Sequence, residues 1–183
     1  MRPRWFYPLL AAGWLACQSD LFHIEVHESS KTTVEQGTVL EDLIGDLGFE
    51  DFVSMDITAA EELQNQGVEP GDIQEVFLTE FRLTAADDLD LSFLDSMELY
   101  VESPGLERVR VAWQDTFPEG QSTVEFNLDE VDLTDYVVSQ SVTISTEVTA
   151  HRPEEDTQVT AKFGLDVGVT AQGACNQAKA QNG

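Results

Sequence analysis

From Phe22 onward the chain alternates apolar and polar residues one for one over long stretches. Only an extended strand turns successive side chains to opposite faces, so a period of two marks strands with one face buried. Phe22, Ile24 and Val26 alternate with His23, Glu25 and His27. Met97, Leu99 and Val101 alternate with Glu98, Tyr100 and Glu102. Val109, Val111 and Trp113 stand against Arg108, Arg110 and Ala112, which places Trp113 in the core. Val124, Phe126 and Leu128 form another set, and Val142, Ile144, Thr146 and Val148 share a face. In the longest run, Val159, Ala161, Phe163, Leu165, Val167 and Val169 face one way, with Thr160, Lys162, Gly164, Asp166 and Gly168 opposite. Ile73 to Leu83 reads as a central strand, because Val76, Phe77 and Leu78 are apolar on both faces. On strict alternation Phe77, Phe81 and Leu83 share one face. Phe52 to Ile57 gives a weaker strand signal.

Two short helices are expected between strands. Thr38 can cap Val39 to Leu47, with Glu41 completing a capping box and Gly48 ending it. Thr58 can cap Ala59 to Gln66, with Glu61 three places on and Gly67 as the stop. Turn signals such as Glu69-Pro70-Gly71-Asp72, Ser103-Pro104-Gly105, Pro118-Glu119-Gly120 and Arg152-Pro153 separate the strands. Short strands at this spacing, with no fixed repeat, predict an all-β fold. The expected architecture is an antiparallel β-sandwich, Ig-like or jelly-roll-like, over residues 22–171, with one or two short connecting helices. Beyond Gln172 the periodicity stops, and a disordered tail is expected there.

Ahead of the strands, Arg2 and Arg4 precede an apolar stretch from Trp5 to Ala16. A helix needs about 20 residues to span a bilayer, so this stretch reads as the apolar region of a signal peptide. Trp14-Leu15-Ala16-Cys17 resembles the lipobox of bacterial lipoproteins. Ala16 and Cys17 match the motif, while Trp14 stands where leucine is usual. The resemblance covers residues 1–17. It implies cleavage after Ala16, acylation of Cys17, and residues 17–21 as anchor and tether to the membrane. Gln18 after the cysteine implies the outer membrane of the cell envelope. The alternative is a soluble secreted or periplasmic protein. The other cysteine is Cys175. If Cys17 carries lipid, Cys175 has no cysteine partner. If it does not, a Cys17–Cys175 disulfide can join the ends of the domain.

Charge narrows the partners. There are 35 Asp and Glu against 9 Lys and Arg, a formal net charge of −26, and removing Arg2 and Arg4 makes the mature chain more negative still. Such a surface repels phosphate backbones, which excludes nucleic acid as an expected partner. It favours solubility and protects strand edges, or else attracts cations or a basic partner.

Two patterns suggest ligand chemistry. His23, Glu25 and His27 project from one strand face at i, i+2 and i+4. Two imidazoles and a carboxylate are suitable ligands for a zinc-like ion, and His151 is the remaining histidine that tertiary proximity could bring to them. The acidic clusters Asp87, Asp88 and Asp90, then Asp129, Glu130 and Asp132, then Glu154, Glu155 and Asp156 lie at strand ends, where a weak divalent cation such as calcium can be held. None fits an EF-hand loop. The sequence contains no G-x-S-x-G elbow, phosphate-binding glycine loop or H-E-x-x-H pair, so no catalytic residue is assigned and no enzyme is expected. Tyr100, flanked by Glu98 and Glu102, is a candidate for contact with a sugar or a protein. The resulting expectation is a non-catalytic, lipid-anchored acidic envelope protein that serves as a structural or protein-binding module. The alternative is a calcium- or carbohydrate-binding module using the acidic loops.

Overall fold

The computed structural model describes residues 22–37, 60–86, 89–139 and 142–170. They form two four-stranded antiparallel sheets. In chain order the strands are β1 (Phe22–Val34), β2 (Ile73–Ala85), β3 (Leu94–Glu102), β4 (Val109–Gln114), β5 (Thr123–Glu125), β6 (Asn127–Leu128), β7 (Thr143–Ala150) and β8 (Thr157–Val169). The first sheet has the order β1-β8-β2-β5 and the second β6-β4-β3-β7. Their inner faces share one apolar core, so the molecule is the antiparallel β-sandwich that the alternation implies.

β8 lies at the centre of the first sheet and pairs with both β1 and β2. All six of its inward residues, from Val159 to Val169, are buried. β1 is longer than its apolar start suggests. It continues through the inward positions Glu28, Ser30 and Thr32 to Val34, with Ser30 and Val34 buried. At its start Phe22 is 51% exposed although its parity points inward, because it sits at the open end of the strand.

Of four register shifts in the described sheets, two reverse the faces expected for aromatic residues. In β2 the register slips between Leu78 and Glu80, so the strand gains a residue at Thr79 and its parity reverses. Val76 and Leu78 face inward before the bulge, and Phe81, Leu83 and Ala85 after it. Phe77 therefore does not share a face with Phe81 and Leu83. It pairs with Asp166, whose side chain is on the outer face. In β4 the pairing to β3 jumps from Ala112 to Arg110. Val111 and Ala112 are both buried, and Trp113, opposite Glu98, turns outward. The expected core position of Trp113 is thus corrected by one bulge.

The run from Val124 to Leu128 changes sheets midway. β5 pairs with β2, β6 pairs with β4, and Phe126 between them is the crossing point. Its N–H donates to the Phe81 carbonyl at 3.0 Å. Its ring meets Phe81 edge-on at 4.7 Å between centroids and Phe117 at 5.8 Å. Alternation survives the change because both sheets have the same interior.

Helix α1 (Glu61–Gln64) begins two residues later than expected, at N-cap Ala60 and without a side-chain cap. It stops where expected. Gly67 has φ +65°, its N–H bonds to Gln64, and the Val68 N–H bonds to Leu63, which is the Schellman arrangement. A second short helix, α2 (Thr134–Val137), was not expected from periodicity. It buries Tyr136 and Val137 against the core, and the Tyr136 hydroxyl donates to the Glu107 carbonyl at 2.7 Å. The expected helix at 39–47, the strand at 52–57 and the tail from 172 lie outside the described residues.

Because Phe126 ties both sheets together, Phe126→Ala should lower the unfolding free energy by about 3–5 kcal/mol. Equilibrium urea denaturation followed by circular dichroism measures this, and a loss below about 1 kcal/mol would contradict the crossing role.

Candidate functional site

On the outer face of the first sheet, β1 presents His23, Glu25 and His27 beside Gly168, Asp166 and Gly164 of β8. β2 continues the rows with Glu75, Phe77 and Glu80. The two glycines give this face its shape. A Cβ at Gly164 would stand 2.9 Å from His27 Nδ1 and 3.0 Å from its Cε1. One at Gly168 would stand 2.5 Å from Glu75 Cγ. His27 and Glu75 therefore lean over bare backbone, the close approach that a glycine within a strand permits. The sequence carried this signal, since both glycines were visible opposite the apolar face of β8.

The histidines share the outward face as expected, but they turn to different carboxylates. His23 Nδ1 lies 2.9 Å from one Asp166 oxygen and 3.1 Å from the other, and its Nε2 lies 3.7 Å from Glu75. His27 sits between Glu25 at 3.7 Å and Glu80 at 4.0 Å. Glu80 is also approached by Arg82 at 3.1 Å and Lys162 at 3.5 Å. The trio His23, Glu25 and His27 is thus drawn into separate ion-pair contacts rather than around one point. Among the described residues, no group of three or more His, Cys, Asp or Glu side chains is disposed to hold a metal ion. An open cleft of about 380 Å³ crosses this face, walled by Glu25 and His27 on one side and by Glu80 and Glu125 on the other.

Two of the acidic clusters, through Asp90 and through Glu154 and Glu155, meet at one end of the sandwich around an open cleft of about 730 Å³ that also includes Glu119 and His151; the third, Asp129 to Asp132, lies apart, beside Val76 and Val111. His151 belongs to that cleft, 3.7 Å from Asp95, and not with the other histidines. Each cluster uses a carboxylate to fix a loop. Asp90 accepts the Ser92 hydroxyl at 2.6 Å, the Gly120 N–H at 2.7 Å and the Ser92 N–H at 3.1 Å. These donors hold its carboxyl below the usual aspartate range, with the Ser92 hydroxyl foremost. Gly120 has φ +75°, which lets its N–H turn to Asp90. Asp132 is opposed by burial, but the Thr134 hydroxyl and N–H and the Val76 N–H outweigh that and lower its pKa. Asp156 accepts the Gln36 N–H at 2.7 Å and ties the end of β1 to the start of β8. Asp87, Asp88, Cys17 and Cys175 lie outside the described residues.

The outer face of the second sheet carries a lattice that the sequence reading missed. Arg110 lies 2.6 Å from Glu98 and 2.8 Å from Asp129, bridging β3, β4 and the end of β6. These two carboxylates raise the Arg110 pKa, Asp129 the more. Arg110 and the Tyr100 hydroxyl in turn hold Glu98 below the usual glutamate range. Arg108 lies over the Tyr100 ring at 3.7 Å and reaches Glu147 at 2.6 Å. Trp113 stands beside Arg110, whose guanidinium is 5.5 Å from the ring centroid. The alternation of Arg108 and Arg110 with apolar residues located the arginines, but the bulge hid Trp113.

No protein-family model matches the chain, and no curated protein matches it. Among solved structures, it is similar to a chain in the cryo-EM structure of mud crab tombus-like virus. The similarity has a TM-score of 0.36 at 10% identity and covers 93% of this chain and 91% of that one. A likeness at that level carries no functional argument.

The lowered pKa values set a pH window. Asp90, Glu98 and Asp132 stabilise the fold while ionised, so their contribution is complete above the ordinary carboxylate pKa of about 4 and is lost as pH falls through their lower folded values. Between pH 8 and pH 5 they do not change, while the remaining carboxylates begin to take up protons and repel one another less. Thermal melts should show higher stability at pH 5 than at pH 8 and a decline below about pH 4. A steady loss from pH 8 to pH 5 would refute this.

Proposed function

We propose that the chain is a non-catalytic, lipid-anchored acidic protein of the bacterial cell envelope, held at the outer membrane and serving as a structural or protein-binding module. The observation that carries this reading is the leader: a basic start, an apolar stretch and Ala16-Cys17, only a few residues ahead of the first strand at Phe22. Acyl chains on Cys17, each contributing about 0.8 kcal/mol per buried CH2, would make the tether stable where one chain alone is marginal. Three further features support the module reading. Arg82, Arg108, Arg110 and Lys162 each lie within ion-pair distance of a carboxylate, which leaves a large excess of acid. That excess favours a basic protein partner over nucleic acid. Among the described residues, the side chains with shifted pKa are tied in hydrogen bonds and ion pairs that brace loops and strands.

In cells given labelled palmitate, the wild-type chain should incorporate label and partition into detergent, and Cys17→Ser should do neither. Equal labelling of both would overturn the anchor.

A second reading, a carbohydrate-binding module, is favoured by one observation, the outward position of Trp113 beside Arg110 on the sheet face that also carries Tyr100 and Arg108. Aromatic rings bind the apolar faces of sugars while neighbouring polar groups bond the hydroxyls. Trp113 is the sole tryptophan after Trp14, so fluorescence of the processed protein reports on it alone. Titration with envelope glycans should then shift or quench that emission saturably, and a flat response would remove this reading.

A further inference from the structure

Between the sheets lies a cavity of about 60 Å³ whose lining is wholly apolar. Phe81, Phe163 and Leu165 of the first sheet face Met97 and Leu99 of the second across it, and Ile144 closes it on the β7 side. A void with no polar lining stays dry and accepts apolar groups. Its volume is about that of two waters in the liquid, enough for the tip of a hydrocarbon chain. Met97, with three rotatable bonds, can give way to admit more.

A second observation is independent of the first. Thr146 lies opposite Leu99 in the register and on the same inward parity as Ile144. Its Oγ1 is buried and has no hydrogen-bond partner among the described residues. Thr146 is not itself part of the cavity wall, but Leu99 opposite it and Ile144 on its own strand are. Buried polar groups are almost always paired, so an unpaired hydroxyl next to those side chains calls for a partner. β7 is an edge strand, and Val142 and Ile144, both lining the cavity, are only partly buried. That flank is the way in.

We propose that this cavity is a binding site for a neutral aliphatic amphiphile, with the alkyl tip between Phe163 and Met97, the chain passing Ile144 and a hydroxyl or carbonyl head bonded to Thr146 Oγ1. The net negative charge of the chain disfavours an anionic head, and the uncharged hydroxyl of Thr146 offers a hydrogen bond rather than a counter-charge, which favours a neutral one. The site does not depend on the proposed anchor or on the carbohydrate reading.

The test uses 1-hexanol as the probe, with thermal melts of three proteins. Wild type should rise in Tm saturably at low millimolar concentration. Thr146→Val keeps the shape of the side chain and removes the hydroxyl, so it should need about tenfold more 1-hexanol for the same rise, the value of one neutral hydrogen bond. Ala161→Val adds bulk into the cavity and should abolish the response. In the wild type and in Thr146→Val, the Met97 methyl resonance should move with the probe. A wild-type melt that does not rise saturably, an equal rise in Ala161→Val, an unchanged affinity in Thr146→Val or a static Met97 methyl would each overturn the site.

Discussion

β8 is the strand on which the first sheet depends. It is paired along one side to β1 from Phe22 to Val34 and along the other to β2 from Ile73 to Ala85, so it satisfies backbone groups of two long strands at once. Without it, β2 keeps only the three-residue β5, and β1 has no strand partner among the described residues. Its inward side chains are all buried, and its outward glycines admit His27 and Glu75. The strand that is last in the chain therefore fixes the strand that is first. Pairing Phe22 with Val169 spans nearly the whole domain, the kind of non-local contact that slows folding. The short edges at the other side suit this arrangement: β5 and β6 are two halves of one run pinned at Phe126, so the sheets are joined there by the chain itself.

Alternation made most of this legible. A strand with one buried face writes its orientation into the sequence, and Met97, Leu99 and Val101 of β3 and the set from Val159 to Val169 of β8 were read correctly as inward, while Leu94, beyond a register shift in β3, was not. Two of the failures share one cause. A bulge inserts a residue without changing composition, so it leaves no mark in a period-two pattern yet reverses every side chain beyond it. Phe77 and Trp113 were both assigned the wrong face for that reason. The second half of β1 was missed for a different one. Its inward positions include Glu28, Ser30 and Thr32, and burial of Ser30 comes from its place in the fold rather than from its own hydropathy. The site was less legible than the fold. Sequence spacing put the histidines on one face correctly, but which carboxylate each would meet depended on the register with β8 and β2, which no local pattern contains.

The acidity of the chain has a structural side that composition hides. Thirty-five carboxylates would be expected to weaken a small domain by mutual repulsion. Yet the acids at loop ends are not interchangeable. Asp90, Asp132 and Asp156 each take backbone N–H groups that a turn would otherwise leave unpaired, while Glu98 and Asp129 hold one guanidinium between three strands. A carboxylate bonded to several N–H donors is a loop clasp, and its charge is already answered locally. The surplus falls on exposed side chains without such roles, such as Asp115, Glu119 and Glu130. Solubility and architecture are thereby divided between two populations of the same residue type.

That division bears on where a ligand can bind. The outer faces of both sheets are crossed by ion pairs, so a polar ligand there must break contacts before it makes any, and its net gain is small. The interior presents the opposite case. Between the sheets there is nothing to displace: the cavity walls present apolar surface, the hydroxyl of the lining residue Tyr136 is already bonded to the Glu107 carbonyl, and Thr146 Oγ1, next to the lining residues Leu99 and Ile144, has no bond to lose. Binding energy in such a place comes from contacts added rather than exchanged. A fold whose sheet faces are crossed by ion pairs and whose described core keeps an unfilled apolar space is better arranged to recognise an aliphatic chain than a small polar molecule, while a large basic partner, gathering many weak attractions at once, can still use the surplus acid outside.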